Sequence, residues 1–274
     1  MKPPSGYGRL IRAALREDAP FGDPFAEALS GDGSGVFLAR CDGIFCGGPV
    51  AADVFRQVNP SVSVTFVQEG RRVSAGERLG EASGPVGALL QAERVALNFM
   101  QRLSGISTAT ALFVEKTAGY GTRVLDTRKT TPLLRALEKY AVRIGGGSNH
   151  RFSLSDGVLI KENGIRAAGG IAAAIAVARR AAHHLLRVEV EAETLAEVEA
   201  AVRAGADAVL LDNMSPAMVR DAVFRFGGEV FLEASGGIHL GNVEEYARTG
   251  VPAIAVGAIT HSAPAFDISF ELSS

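Results

Sequence analysis

From about residue 120 the chain repeats one pattern: a short apolar run, a polar residue or glycine at its end, then a helical segment. This alternation limits the fold more than any other feature. The apolar runs are RVLDT, GVLIKE, RVEVEA, AVLLDN, VFLEAS and AIAVGA, and the helical segments include PLLRALEKYAVRIGG, LAEVEAAVRAGA, SPAMVRDAVFRF and NVEEYARTG. Nearly continuous apolar strands belong to a parallel sheet covered on both faces. Strands alternating with helices admit a doubly wound sheet or a TIM-type barrel. The strand ends favour the barrel: they carry Asp126, Lys161, Glu189 with Glu191, Asp212, Glu233 with Ser235, and Gly257. An open sheet gathers its ligand groups at one switch point, whereas a barrel draws them from many strands at one mouth. Six runs fall short of eight, so the barrel is expected to be incomplete or closed by other elements.

Residues 1 to about 110 have a different texture. A short helix, YGRLIRAALRED, precedes turn-rich β-like segments, among them SGVFLARCDGIFCGG and SVSVTFVQEGRRVSAGERLGEASG. A long segment beginning GPVGALLQAERVALNFMQRLSG then has apolar residues at helical spacing. Gly105 is expected to interrupt this helix, and Gly119 or Gly121 to end it. Thr131-Pro132 is expected to start the helix after RVLDT, since proline is tolerated in a first turn.

Charge and composition exclude several classes of function. A net charge of −2 leaves no footprint for nucleic acid or an anionic membrane. Cys41 and Cys46 have no histidine or further cysteine near them, so they read as small apolar residues rather than zinc ligands. With no disulfide framework and no signal-peptide core at the N-terminus, a cytoplasmic location is expected. The alanine-rich segment GGIAAAIAVARRAAHHLL is broken by Arg179 and Arg180 and reads as a buried helix rather than a membrane span.

Three groups of residues carry chemistry. Ser235-Gly236-Gly237 and Gly257-Ala258 follow the last two strands, where exposed backbone N–H groups can cradle a phosphate. Glu189, Glu191 and Asp212 are acids at strand ends. Glu189 and Glu191 alternate with valines and so share a face. Glu189 and Asp212 are expected at the mouth, where two carboxylates suit Mg²⁺ or pair with cations such as Lys161 or Arg128. Arg128, Lys129, His150, Arg151 and Lys161 form a cationic set suited to carboxylates and phosphates. Together they fit transfer of a phosphorylated sugar to an acidic acceptor, catalysed by positioning and charge stabilisation.

The motifs DTRKTTP, LEKYAVRIGGGSNHR, LSDGVLIKEN, VEVE, LLDN, EASGGI and VGAITHSAPAFDIS, with ERVALNFMQRLSGISTAT before them, resemble the quinolinate phosphoribosyltransferase family. The resemblance runs in order over nearly the whole chain. It implies an α/β fold: an N-terminal α/β sandwich domain over 1–112, an incomplete, seven-stranded TIM-like α/β barrel over 113–265, and a segment 266–274 returning to the first domain. It implies conversion of quinolinate and phosphoribosyl pyrophosphate to nicotinate mononucleotide, diphosphate and CO₂, with Mg²⁺ as cofactor. It further implies a homodimer in which Arg94 is donated to the partner's site. By the same resemblance Arg128, His150, Arg151 and Lys161 surround the quinolinate carboxylates, and Lys129 lies nearer the diphosphate. Glu189 and Asp212 face ribose and metal. Ser235, Gly236, Gly237, Gly257 and His261 bind the 5′-phosphate.

Three positions depart from the family pattern. Leu133 stands where T-P-G-L-R has glycine, Gly164 where a histidine follows Lys-(Asp/Glu)-Asn, and GDPF where Gly-Asp-x-Thr is usual. Two alternative functions remain at this point: a related phosphoribosyltransferase for another acidic heterocycle, and a non-catalytic sugar-phosphate-binding homologue.

Overall fold

The structure, a computed structural model, describes residues 1–273. Contacts divide the chain into two compact units. The first comprises Met1–Ala111, Thr130–Gly146 and the segment from Ile259 onward; the second comprises Leu112–Lys129 and Gly147–Ala258. The boundaries expected from sequence cut the chain into consecutive blocks, whereas contacts assign 130–146 and 259–265 to the first unit. The 130–146 segment goes there because its helix faces that unit: Glu138 bonds Arg102, and the Tyr140 hydroxyl donates to Glu69 at 2.6 Å.

The first unit opens with helices Gly8–Asp18 and Pro24–Ala28. GDPF is a helix start: Asp23 accepts from the Phe25 and Ala26 N–H groups at 3.0 and 3.1 Å, and Pro24 occupies the first turn. The strands that follow are β1 (Asp32–Ala39), β2 (Gly43–Ile44), β3 (Ser63–Phe66), β4 (Arg72–Val73) and β5 (Arg78–Pro85). Helix Gly48–Val58 separates β2 from β3. Alternate residues of β1 from Gly35 on are buried, the period of a strand with one covered face.

Helix Val86–Thr117 runs through Gly105 without a break, contrary to the expected interruption. The glycine is there for close packing: a Cβ at Gly105 would lie 2.0 Å from the Pro264 carbonyl oxygen. Even Gly105→Ala therefore requires that backbone to move. The helix ends at Thr117, and Gly119 and Gly121 follow with positive φ.

The second unit carries β6 (Arg123–Leu125), β7 (Val158–Ile160), β8 (Val188–Ala192), β9 (Ala208–Asp212), β10 (Phe231–Ser235) and β11 (Ala253–Ala255). These are the six apolar runs read from the sequence. They form one parallel sheet in the order β6-β11-β10-β9-β8-β7. Where the resemblance implied seven strands, the seventh position among the described residues is a single parallel bridge from Leu125 to Ser148. Crossover helices such as Leu195–Arg203 and Pro216–Phe226 cover the sheet. The first starts with a capping box between Thr194 and Glu197, and Ser215 caps the second. The alanine-rich segment forms helix Ile171–Ala181, which buries Ala174, Ile175 and Ala178. No helix among the described residues is long and apolar enough to cross a membrane.

The chain returns to the first unit with β12 (Ile268–Leu272), which pairs antiparallel with β1 and sets Phe270 opposite Phe37. The sheet order there is β12-β1-β5-β3. Phe37, Phe55, Phe66 and Phe270 form its aromatic core, with the Phe37 and Phe270 ring centroids 4.6 Å apart. Phe37 and Phe55 are fully buried, and each such side chain contributes about 1.5–3 kcal/mol.

One helix starts later than expected. Helix Arg135–Ile144 begins three residues beyond Pro132. Residues 131–134 form a turn instead, with Leu134 N–H donating to the Thr131 carbonyl at 3.1 Å and Leu133 at φ +67°. Proline at the second position and positive φ at the third are the marks of a type II turn, which favours glycine at that third position. A left-handed residue cannot continue a right-handed helix.

Candidate active site

β6 delivers the first functional loop. Asp126, fully buried at its end, is a strut. One carboxylate oxygen accepts from Asn149 Nδ2 at 2.5 Å, and the other from the His150 N–H at 2.9 Å. The loop 149–151 is thereby tied to β6. Thr127 Oγ1 accepts from the Lys129 N–H at 3.0 Å, shaping the turn that carries Arg128 and Lys129.

Arg151 donates from Nη1 to the Gly157 carbonyl at 2.7 Å. Its pKa is lowered first by burial and then by neighbouring Arg128, and raised by Glu189. Two partly desolvated guanidinium groups close enough to repel each other have the chemistry that suits a multiply charged anion.

The two acids of β8 occupy different tiers. Glu189 is nearly buried, with Oε2 lying 3.0 Å from His150 Nε2. Glu233, on β10, brings Oε1 to 3.5 Å from the same nitrogen. Burial, then repulsion from Glu189, pushes the Glu233 carboxyl up to about 8. Glu191 lies two residues nearer the strand's C-terminal end. Its Oε1 is 2.8 Å from Lys161 Nζ, and its Oε2 accepts from the Glu162 N–H at 3.3 Å. Asp212, at the end of β9, has its pKa raised by burial and then by Glu191, against the lowering effects of Lys161 and Lys129.

The expectation set Glu189 beside Asp212 facing metal and ribose. In the structure the acid coupled to Asp212 and Lys161 is Glu191, because residues two apart on one face differ by one pleat in depth. Glu189 stands in the lower tier with Glu233 and His150. The ligand atoms of those three residues all lie within 4.8 Å of one another. His150 was expected among the carboxylate-binding cations. Its Nε2 faces two carboxylates, and its Nδ1 accepts the Arg151 N–H at 2.6 Å. Its imidazole thus links the two acids to the Arg151 main chain.

The glycine loop after β10 is packed onto β9's end. Ser235 pairs in register with Asp212, and its carbonyl accepts from the Asn213 N–H at 2.9 Å. Asn213 Nδ2 donates to Asp212 at 2.8 Å. A Cβ at Gly236 would lie 2.3 Å from Asn213 Oδ1, and φ there is +90°, so only glycine fits. Gly257 precedes a single helical turn, Ala258–His261.

All the expected site residues except Arg94 and His261 belong to the second unit. Arg94 is an exposed residue of helix Val86–Thr117. His261 is exposed, with Nδ1 2.6 Å from Ser262 Oγ. Leu133 and Gly164, two of the departures from the family pattern, are both exposed. A Cβ at Gly164 would meet Ile160 at 3.5 Å, an ordinary contact. Sequence reading noted Glu191 and Glu233 at strand ends but gave neither a role in the expected site. The signal for Glu233 was a lone acid inside the apolar run VFLEAS.

Comparison with known proteins shows the family. The family model described as quinolinate phosphoribosyl transferase, N-terminal domain, matches residues 26–104, and the C-terminal domain model matches residues 106–271. The chain is 41% identical over 267 residues to a Bacillus subtilis (strain 168) protein named probable nicotinate-nucleotide pyrophosphorylase (carboxylating), covering 96% of this chain and 92% of that one. It is 41% identical over 280 residues to the Homo sapiens nicotinate-nucleotide pyrophosphorylase (carboxylating), covering 98% and 93%. The solved nicotinate-nucleotide pyrophosphorylase from Francisella tularensis superposes with a TM-score of 0.95 at 42% identity, covering 99% of this chain and 98% of that one.

Proposed function

The chain belongs to the quinolinate phosphoribosyltransferase family, and from that premise we propose that the mouth of its barrel joins quinolinate to phosphoribosyl pyrophosphate. The products are nicotinate mononucleotide, diphosphate and CO₂, as in de novo NAD biosynthesis. The observation that carries this reading is the meeting of a repelling Arg128–Arg151 pair with the Lys161–Glu191–Asp212 group in one unit. The first suits a dicarboxylate, and the second a sugar diphosphate.

In the reaction, the pyridine nitrogen donates its electron pair to C1 of the ribose. The C1–O bond breaks with its pair leaving on diphosphate. The bond from C2 of the ring to its carboxylate then breaks, CO₂ departs, and the pair left at C2 takes a proton. Arg128, Arg151 and Lys161 hold the carboxylates, and Lys129 offsets charge on the departing diphosphate. Gly236, Gly237 and Gly257 offer backbone N–H groups to the 5′-phosphate.

The donor set fits Mg²⁺. Asp212 and Glu191 are hard oxygen ligands whose mutual repulsion a cation relieves. They, rather than Glu189, would hold it, and it would neutralise charge on the diphosphate. Two free cysteines agree with a cytoplasmic location. The exposed position of Arg94 agrees with donation to a second subunit.

A product assay tests the reading. With quinolinate, phosphoribosyl pyrophosphate and Mg²⁺, CO₂ and diphosphate are expected in equal amounts, and EDTA is expected to stop the reaction. Turnover with nicotinate but none with quinolinate would instead identify a related transferase. Mixing Arg94→Ala with Lys161→Ala protein is expected to restore part of the activity. Verified mixed dimers with no activity would count against a shared site.

A further inference from the structure

The first unit contains an ion pair, its carboxylate buried and its guanidinium partly so, that the reaction above does not use. Arg102, on helix Val86–Thr117, faces Glu138, on helix Arg135–Ile144. Arg102 Nε and Nη2 donate to Glu138 Oε1 at 3.0 and 2.7 Å, and Glu138 is fully buried. Arg102's other donors reach main-chain and hydroxyl oxygens. Nη1 donates to the Ala263 carbonyl at 3.3 Å, and Nη2 to the Thr260 carbonyl and to Thr131 Oγ1. Glu138 Oε2 accepts the Thr131 N–H at 3.1 Å.

As a source of stability this arrangement is poor value. Desolvating a guanidinium and a carboxylate offsets most of their attraction, and apolar residues of similar volume often do as well or better. The pair does supply directions. A guanidinium fork fixes where its partners lie, and here they sit on two segments far apart in sequence. Thr131 is two residues beyond Lys129, and Thr260 is three residues beyond Gly257 and next to His261.

The first of these segments is strained. Leu133 sits at φ +67° with its side chain largely exposed, so packing does not hold it there. A non-glycine residue in that region costs about 1–2 kcal/mol, and such strain persists only where the surroundings over-determine it. Thr131 opens this turn, and the ion pair grips it at both its N–H and its hydroxyl. Arg135, just past the turn, donates from Nε to Thr130 Oγ1 at 3.0 Å.

We propose that Arg102 and Glu138 form a positioning pair for the reaction, fixing the backbone that flanks the cationic loop and the backbone that flanks the last phosphate-site glycine. The inference rests on the phosphoribosyl-transfer reading above. Neither residue touches substrate; each acts through Thr131, Thr260 and Ala263. The pair is retained for geometry, at a cost in stability.

Three variants test this: Arg102→Lys, Glu138→Gln and the double apolar replacement Arg102→Met/Glu138→Leu. Each is characterised by thermal melting, by steady-state kinetics well below its Tm, and by calorimetric binding of phosphoribosyl pyrophosphate without an acceptor base. The double variant is expected to melt at or above the wild-type temperature. All three are expected to show KM for both substrates and Kd for phosphoribosyl pyrophosphate raised about tenfold, with kcat changed less than about threefold, because fork geometry is lost while the reacting groups remain. A double variant with wild-type KM and Kd would overturn the proposal, as would losses confined to Tm in all three. If the wild type fails to turn over quinolinate, the functional reading fails, and the Kd comparison still decides the role of the pair.

Discussion

Two acids on β8, Glu189 and Glu191, share one face and lie one pleat apart, yet they belong to different chemistry. The upper one meets Lys161, whose side chain is 59% exposed, and acts on Asp212. The lower one is enclosed with His150 and Glu233, and its neighbour's carboxyl is forced toward the protonated form. Both acids are largely buried, and the difference lies in their partners: Lys161 stands in solvent, whereas His150 and Glu233 are enclosed. The lower acids share one imidazole between them, whose other nitrogen accepts the Arg151 N–H. Position along one strand face, rather than residue type, sets which partners each acid meets.

The sharpest way to break this comparison is to truncate the lower acid. Glu189→Ala removes the acceptor 3.0 Å from His150 Nε2 and opens space in the buried tier, and is expected to cost about 1–3 kcal/mol of stability, read by urea denaturation. A loss under about 1 kcal/mol would mean that this contact adds nothing to the fold. In the upper tier, Lys161→Ala is expected to leave the denaturation midpoint unchanged and lower kcat/KM by about a hundredfold. A large stability loss there would erase the distinction between the tiers.

The pH dependence of stability sharpens it further. Folded, Glu233 keeps its proton to about pH 8, while unfolded it releases it near its ordinary value of 4.5. The folded state therefore binds more protons between those values, so stability falls as pH rises from about 4.5 to about 8 and levels off above. Glu233→Gln is expected to flatten that part of the melting-temperature profile. An unchanged slope in the variant would remove Glu233 as its source. The smallest expected effect lies outside both tiers. Leu133→Gly relieves a left-handed leucine but loosens the unfolded chain, so a gain below about 1 kcal/mol is expected, with activity unchanged. A stability loss would show that the exposed leucine has a packing partner.

Much of the fold was legible because parallel strands declare themselves. All six apolar runs became the six strands of the barrel sheet; Asp212 and Ser235 end theirs as expected, whereas Glu189 and Glu233 lie deeper in β8 and β10. The helix expected from Pro132 was misplaced because hydrophobic periodicity cannot register a single positive φ. Gly105 was misread because a glycine inside a helix looks like a break until the Pro264 backbone packed against it is seen. Arg102 and Glu138 gave no local signal, since their spacing in sequence is unrelated to their contact.

By itself, then, the sequence determined the barrel architecture, the cationic loop, the glycine cradles and the family. These follow from short-range patterns, namely side-chain alternation, turn chemistry and the order of motifs. Only the tertiary structure decided which carboxylate faces Lys161 and Asp212, that the His150 imidazole lies against Glu189 and Glu233, and that 130–146 folds with the first unit. Each of these depends on the depth and desolvation of a group among residues distant in sequence, and one-dimensional spacing does not encode that depth.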